Sequence, residues 1–390
     1  MIFSDRIQQI APSATLATST RAGELRAQGK DIISLSVGEP DFPTPDYIGE
    51  AAKKAIDEHF TRYTAQPGIP ELRKAIAEYY HRNYGVKADA ENVIVTNGGK
   101  QGLYNAFMAL LNSGDEVIIP TPYWVSYPPM AELTGAKIVY ARAGADVGFK
   151  VTAEMLEALR GPKTKMLVIN TPSNPTGVCY TQVEIDTLAA WCLEKNIVVL
   201  SDEIYDQLVY APATMGTFVP WWEKHPENFI ISGGASKTFA MTGWRVGYLL
   251  AEKALIKAMT RFQSHTTANI CSISQRAALA AYTGDLSVVA TMREAFARRR
   301  DLAMDRISRW KDVTCFRPDG AFYIFPDVHK LYGERFKDSL SLCEQLLEKA
   351  EVALVAGVAF GDDNCIRLSY AVADDVLAEA LRRIEAFLYK

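Results

Sequence analysis

Asn92-Val93-Ile94-Val95-Thr96-Asn97-Gly98-Gly99-Lys100-Gln101-Gly102 reads as a buried strand that turns through two glycines into a helix continuing to residue 111. The apolar run is short, β-rich and without polar alternation, as expected of a strand covered on both faces. Glycines at the turn leave backbone N–H groups open to an anion, and the helix N-terminus favours negative charge. Tight packing of the turn explains the pair equally well.

The same strand, turn and helix order recurs along the chain. Residues 116–119, 165–170, 197–201, 229–232 and 246–250 are predicted strands. Residues 71–84 place Leu72, Ile76, Tyr79 and Tyr80 at helical spacing. Short apolar strands alternating with helices predict an α/β fold, with a large doubly wound, mostly parallel sheet domain. A helix over 285–310 then leads to strand-like runs at 316–325 and 365–369 and helices at 340–350 and 374–389. That pattern predicts a smaller α+β domain built from both chain ends, since chain ends commonly return to one domain. The expected division is 1–40 contributing to the small domain, 41–285 forming the large one and 286–390 completing the small one. A cleft between the two is the default ligand site.

Composition narrows the function. The 390 residues are 48% apolar and 23% charged with a net charge of −4, ordinary for a globular chain. Arg298-Arg299-Arg300 is the densest basic run and reads as a solvated helix face, so no nucleic acid partner is expected. No apolar window is long enough for a membrane span, and the first residues lack the pattern of a signal peptide. Six scattered cysteines without a Cys-x-x-Cys pair, and five dispersed histidines, predict reduced thiols, no metal centre and a cytoplasmic location.

Chemistry concentrates in five places. Gly233-Gly234-Ala235-Ser236-Lys237 leads, eight residues on, to Arg245 before Val246-Gly247. The small neighbours predict an uncrowded lysine. Desolvated and near a second cation, its amine would have a lowered pKa and act as a nucleophile toward a carbonyl. The aldehyde of pyridoxal 5'-phosphate fits best, with Arg245 on its phosphate. Asn170-Thr171-Pro172-Ser173-Asn174-Pro175 follows a strand; Asn174 could donate to a phenolic oxygen, with a cis bond at Pro175 one way to fix it. Asp202, in Ser201-Asp202-Glu203-Ile204-Tyr205, ends a strand where open α/β sheets bind ligands. A protonated pyridine nitrogen would pair with it, and capping of a following helix is the competing role. Tyr205 can face the same ring. Trp124 is a stacking candidate or a core residue. Arg367, in an apolar strand, calls for a carboxylate partner from a ligand or from the chain itself.

Taken in order, the segments resemble the class I aminotransferases of pyridoxal phosphate fold type I. The similarity covers nearly the whole chain. It runs through Gly38-Glu39-Pro40-Asp41-Phe42, Tyr63, Gly98-Gly99-Lys100, Trp124, Ser173-Asn174-Pro175-Thr176-Gly177, Asp202 to Tyr205, Ser236-Lys237 to Arg245, and Arg367-Leu368-Ser369-Tyr370. The bacterial aspartate aminotransferases, some of which also use prephenate, look most similar. The resemblance implies that Lys237 bonds the cofactor aldehyde and later shuttles the substrate Cα proton. It implies that Asp202 keeps the ring nitrogen protonated and that Tyr205 and Asn174 hydrogen-bond the phenolate oxygen. Trp124 would stack on the ring, and Gly99, Lys100, Ser236 and Arg245 would mark the phosphate region. Tyr63 would reach the phosphate of a partner subunit, giving a homodimer with shared active sites. Arg367 would clamp the substrate α-carboxylate beside the Gly38 backbone.

The implied substrates are an amino acid and a 2-oxo acid, foremost aspartate and 2-oxoglutarate in a ping-pong exchange. Lys100 would also bind the distal carboxylate, within reach of Trp124 and Asn174, and Thr15 lies in a segment implied to close over substrate. Gly234 stands where some relatives carry a phosphate-binding serine, and residues 263–269 depart from the family pattern. The alternatives within the fold are an aromatic, prephenate or broad-specificity aminotransferase and a C–S lyase. A regulatory protein of this fold would need a helix-turn-helix module that the first ~40 residues cannot hold.

Overall fold

Alternate side chains of the central strands enter opposite cores. Along Thr164–Asn170, Leu167 and Ile169 join one apolar cluster while Met166 and Val168 join another. The same alternation divides Val199 from Leu200 and Ile231 from Ile230. A sheet buried on both faces by period-two packing is the result. The computed structural model describes residues 1–390.

In chain order the strands are β1 (Ile33–Ser34), β2 (Val93–Asn97), β3 (Glu116–Thr121), β4 (Lys137–Arg142), β5 (Thr164–Asn170), β6 (Val198–Asp202), β7 (Phe229–Gly234), β8 (Val246–Leu250), β9 (Tyr323–Ile324), β10 (Val352–Ala353), β11 (Val355–Ala356) and β12 (Ile366–Ser369). The large sheet has the order β2-β8-β7-β6-β5-β3-β4. Pairings from β7 through to β4 are parallel, whereas β8 runs antiparallel to both β7 and β2. The carboxyl ends of β2, β3, β5, β6 and β7 and the amino end of β8 therefore share one edge.

Helix ends carry their expected signals. Pro70 opens Pro70–Tyr84 and Gly85 closes it at φ 72°, a left-handed turn that glycine adopts without strain. Thr181 and Glu184 form a capping box on Gln182–Glu194. The smaller core joins both chain ends: β1 pairs in parallel with β10, and Leu35 packs in one cluster with Leu346, Leu377 and Ile384. Antiparallel β11-β12-β9 completes that region.

Four readings change. β4 is an additional strand, missed because its edge position leaves Lys137, Tyr140 and Arg142 exposed and dilutes the apolar signal. Only Tyr323–Ile324 of 316–325 is a strand, since Pro318 and Gly320 fall in the approach to it. The helix expected over 285–310 is Ser287–Ile307. Within it, Arg299 and Arg300 are buried, not solvated. Arg299 is charge-paired with Asp41 and Asp374, and Arg300 bonds Asp301 and the Pro318 carbonyl.

Candidate active site

The shared edge of the sheet opens into a cavity of about 450 Å³. Every expected site residue except Tyr63 lines it: Thr15, Gly38, Gly99, Lys100, Trp124, Asn174, Asp202, Tyr205, Ser236, Lys237, Arg245 and Arg367. Tyr63 lies outside the cavity and is 91% exposed.

Lys237 sits on the four-residue helix Ala235–Thr238 directly after β7. Its Nζ donates to the Gly38 carbonyl at 2.5 Å. It also lies 6.0 Å from the Tyr205 ring centroid and 5.7 Å from that of Phe322. Two aromatic rings thus flank the amine, which still opens onto the cavity. The small residues before it make room for other groups: a Cβ on Gly233 would come 2.5 Å from Tyr248 Oη, and one on Gly234 2.8 Å from Ile204 Cδ1. Burial lowers the Lys237 pKa to about 8; Glu39 opposes the shift, while Arg367 and Arg245 add to it.

Asp202, at the end of β6, is buried and accepts from Tyr127 Oη at 2.7 Å. Burial raises its pKa to about 6, and the Tyr127 bond partly restrains the rise. Turn residues follow it, so it caps no helix. Tyr205 Oη shares a 2.9 Å hydrogen bond with Tyr323 Oη. Burial, then Tyr323, pushes the Tyr205 phenol above its usual range.

Arg367, on β12, is fully enclosed. Its Nη1 donates to Asn174 Oδ1 at 3.0 Å and its Nη2 to the Ser36 carbonyl at 2.6 Å. The guanidinium lies 4.7 Å from the Tyr323 ring centroid and 4.9 Å from that of Phe360. Its Nε has no partner, and no carboxylate stands within ion-pair distance. The internal-acid role left open for this arginine is thereby removed. Asn174 is oriented through its backbone N–H, which donates to Asn170 Oδ1 at 2.7 Å. The cis bonds are at Thr121–Pro122, Thr171–Pro172 and Ala211–Pro212, so Pro175 does not supply one.

In the Gly98-Gly99 turn packing accounts for Gly98 alone, since a Cβ on Gly99 would meet only ordinary contacts of 3.7 Å or more. Gly98 has φ 77°, and a Cβ there would strike the Arg245 guanidinium. Arg245 occupies a left-handed conformation at φ 59° and donates to the Thr242 and Asn97 carbonyls, with no acidic partner. Lys100 Nζ lies 5.1 Å from the Trp124 ring centroid and forms no ion pair. Desolvation, then Arg245, lowers its pKa. Trp124 packs edge-on against Tyr127 at 5.3 Å, lies partly buried against the apolar cluster and lines the cavity. No group of three or more His, Cys, Asp or Glu side chains has metal-binding geometry. No helix is long and apolar enough to cross a membrane.

The family model for aminotransferase class I and II matches residues 30–384. The chain belongs to the class I and II aminotransferase family. This aminotransferase is 46% identical to an aspartate/prephenate aminotransferase of Cereibacter sphaeroides, with 99% of this chain and 98% of the relative covered. It is 45% identical to an aspartate aminotransferase of Streptomyces avermitilis, over 99% and 96% of the two chains. Among solved structures, Thermus thermophilus aspartate aminotransferase with maleate superposes at a TM-score of 0.94, with 40% identity and 99% of each chain covered. The cavity of this aminotransferase also holds residues that the motifs did not single out. Tyr127 and Tyr323 bond Asp202 and Tyr205 across separations of 75 and 118 residues. Their sequence signals are faint: Tyr127 follows Trp124 by three, and Tyr323 ends the run Gly320-Ala321-Phe322-Tyr323.

Proposed function

We propose that the aminotransferase uses pyridoxal 5'-phosphate to move the amino group of L-aspartate to 2-oxoglutarate, the two substrates occupying one cavity in turn. When bound, this cofactor supplies an aldehyde for an amine and an electron-withdrawing protonated ring. The residues fit that group. Asp202 is a buried carboxylate that accepts from Tyr127 and forms no ion pair, with only the longer-range charge of Lys237 acting on it, and it is suited to a pyridinium nitrogen. Arg245 and the N-terminus of the helix Gly99–Leu110 suit a phosphate, with Ser236 alongside. With Asn174 Oδ1 committed to Arg367, its amide N–H groups are left to donate toward the phenolate oxygen, together with Tyr205. Trp124 lines the cavity and is available to stack on a ring.

Lys237 is the base in this reading. A pKa near 8 leaves its amine able to take a proton from substrate Cα and deliver it across the intervening nitrogen to the carbon of the cofactor aldehyde. Dicarboxylate specificity rests on one observation: Arg367 and Lys100 line the same cavity as cations without a carboxylate partner. The Thermus structure named for maleate, a four-carbon dicarboxylate, supports the same reading. Thr15 at the cavity wall favours prephenate as a second amino acceptor, in line with the name of the Cereibacter relative. The exposed Tyr63 supports a homodimer in which each chain completes its partner's phosphate site. The division into residues 1–40, 41–285 and 286–390 is proposed with it, the cavity lying between them.

Absorbance of the holoenzyme tests the assignment. Aspartate should convert the cofactor to its amine form at concentrations where phenylalanine leaves the spectrum unchanged. Equal conversion by phenylalanine would overturn dicarboxylate specificity, and no uptake of pyridoxal phosphate would overturn the cofactor.

A further inference from the structure

Residues 35–42 form neither helix nor strand, and Val37 and Gly38 among them line the cavity. One end of this strap is held in the smaller sheet region: Leu35 N–H donates to the Ala353 carbonyl at 2.9 Å, and Ser369 N–H donates to the Leu35 carbonyl at 2.8 Å. Its middle touches the site three times. The Ser36 carbonyl accepts from Arg367 Nη2, the Gly38 carbonyl accepts from Lys237 Nζ, and Glu39 Oε2 accepts from Thr242 Oγ1 at 2.8 Å. Gly38 also packs on Tyr323 so closely that a Cβ would run into Tyr323 Oη. The strap can therefore shift little without moving the groups around Arg367.

Its other end is held by charge. Both oxygens of Asp41 accept from Arg299, Oδ1 from Nη1 at 2.7 Å and Oδ2 from Nη2 at 2.9 Å. The same guanidinium uses Nε to reach Asp374 Oδ1 at 2.8 Å and lies 5.3 Å from the Phe42 ring centroid. Arg299 is only 8% exposed, so this is a desolvated, bidentate pair of fixed geometry. It joins the helix Ser287–Ile307 to the strap and, through Asp374, to the helix Asp374–Leu388.

We propose that Arg299 is a positioning residue: through Asp41 it sets the strap so that the Ser36 carbonyl holds Arg367 for the substrate α-carboxylate and the Gly38 carbonyl holds the Lys237 amine. The inference rests on the aminotransferase reading above. Asp41 and Asp374 make the experiment discriminating, because both pair with one guanidinium and only Asp41 belongs to the strap.

Holoenzyme carrying Asp41→Asn should show a KM for aspartate raised about tenfold, the scale of one lost charge-assisted hydrogen bond, with kcat changed less than about threefold. Arg299→Lys, which keeps the charge and loses the fork, should do the same. Asp374→Asn should lower the thermal midpoint as Asp41→Asn does and leave KM within about twofold. An unchanged KM in both Asp41→Asn and Arg299→Lys would overturn the proposal, as would an equal rise in Asp374→Asn, which would reduce the pair to scaffolding. Wild-type protein without aspartate turnover would instead overturn the substrate reading on which the inference stands.

Discussion

The charge on Lys237 is disfavoured by its surroundings, and that has a thermodynamic signature. Burial lowers its pKa from 10.5 to about 8, so between those pH values the unfolded chain binds a proton that the folded chain has released. Stability then rises with pH across that window, and the full cost of the buried ammonium applies below about pH 8. Cofactor-free Lys237→Met should accordingly melt roughly a few degrees above the parent at pH 7, with the gap closing toward pH 10.5. Melting curves at several pH values check this; a gap that stays constant with pH would mean that the pKa is not depressed. The same substitution should reduce transamination by at least about a thousandfold, since it removes the proton carrier. Residues of this kind were legible because each breaks a local rule: a lysine in a small-residue turn, an acid ending an apolar strand, an arginine inside one. Tyr127 and Tyr323 break none. Buried tyrosines are common in cores, and what distinguishes these two is a partner that only the fold brings close.

At the scale of the element, β8 is where local pattern and tertiary structure part. Its apolar run predicts a strand, yet nothing in Val246–Leu250 encodes that it lies antiparallel between β7 and β2. Direction is set by the short Lys237–Arg245 connection, which returns the chain to the same edge where a long helical crossover would have kept strands parallel. Arg299 and Arg300 misled for a related reason: three consecutive arginines on a helix cannot all face one way, and which of them is buried depends on where Asp41 and Pro318 fall. The one glycine of β8, Gly247, is required by close packing. A Cβ on Gly247 would collide with the backbone of Gly98 and Gly99, the turn that opens the helix Gly99–Leu110. Gly247→Ala should therefore destabilise the protein by about 1–3 kcal/mol, the usual cost of overpacking. It should also weaken pyridoxal phosphate binding, because the displaced backbone belongs to the turn proposed to face the phosphate. Thermal melts and a cofactor titration measure the two effects; a loss of stability with unchanged affinity would detach that turn from the phosphate.

On the scale of the whole molecule, the cavity gathers residues from both chain ends and from most of the large sheet. The α/β class and the joining of the ends were readable because strand and helix periods differ and because the last strand and helices had no place in a parallel repeat. What the sequence could not convey is which surfaces meet another chain, since exposed and interface positions share the same residue types. Tyr63 is the test case: it is 91% exposed and outside its own cavity. If each site takes Tyr63 from the opposite subunit, Tyr63→Ala and Lys237→Ala inactivate through different chains. Random assembly of the two variants then makes half the dimers mixed. In a two-fold dimer one site of each mixed pair carries both defects and the other carries none. Coexpression should thus recover about one quarter of wild-type activity, assayed at limiting cofactor, where the phosphate contact matters most. Neither variant alone should approach that value. If Tyr63 served its own chain, every site in the mixed dimer would hold one defect, and activity would fall between the two single variants with no recovery above them. Tyr63→Phe separates the hydroxyl from the ring, since loss of a phosphate hydrogen bond should raise the cofactor dissociation constant about tenfold and leave assembly unaltered.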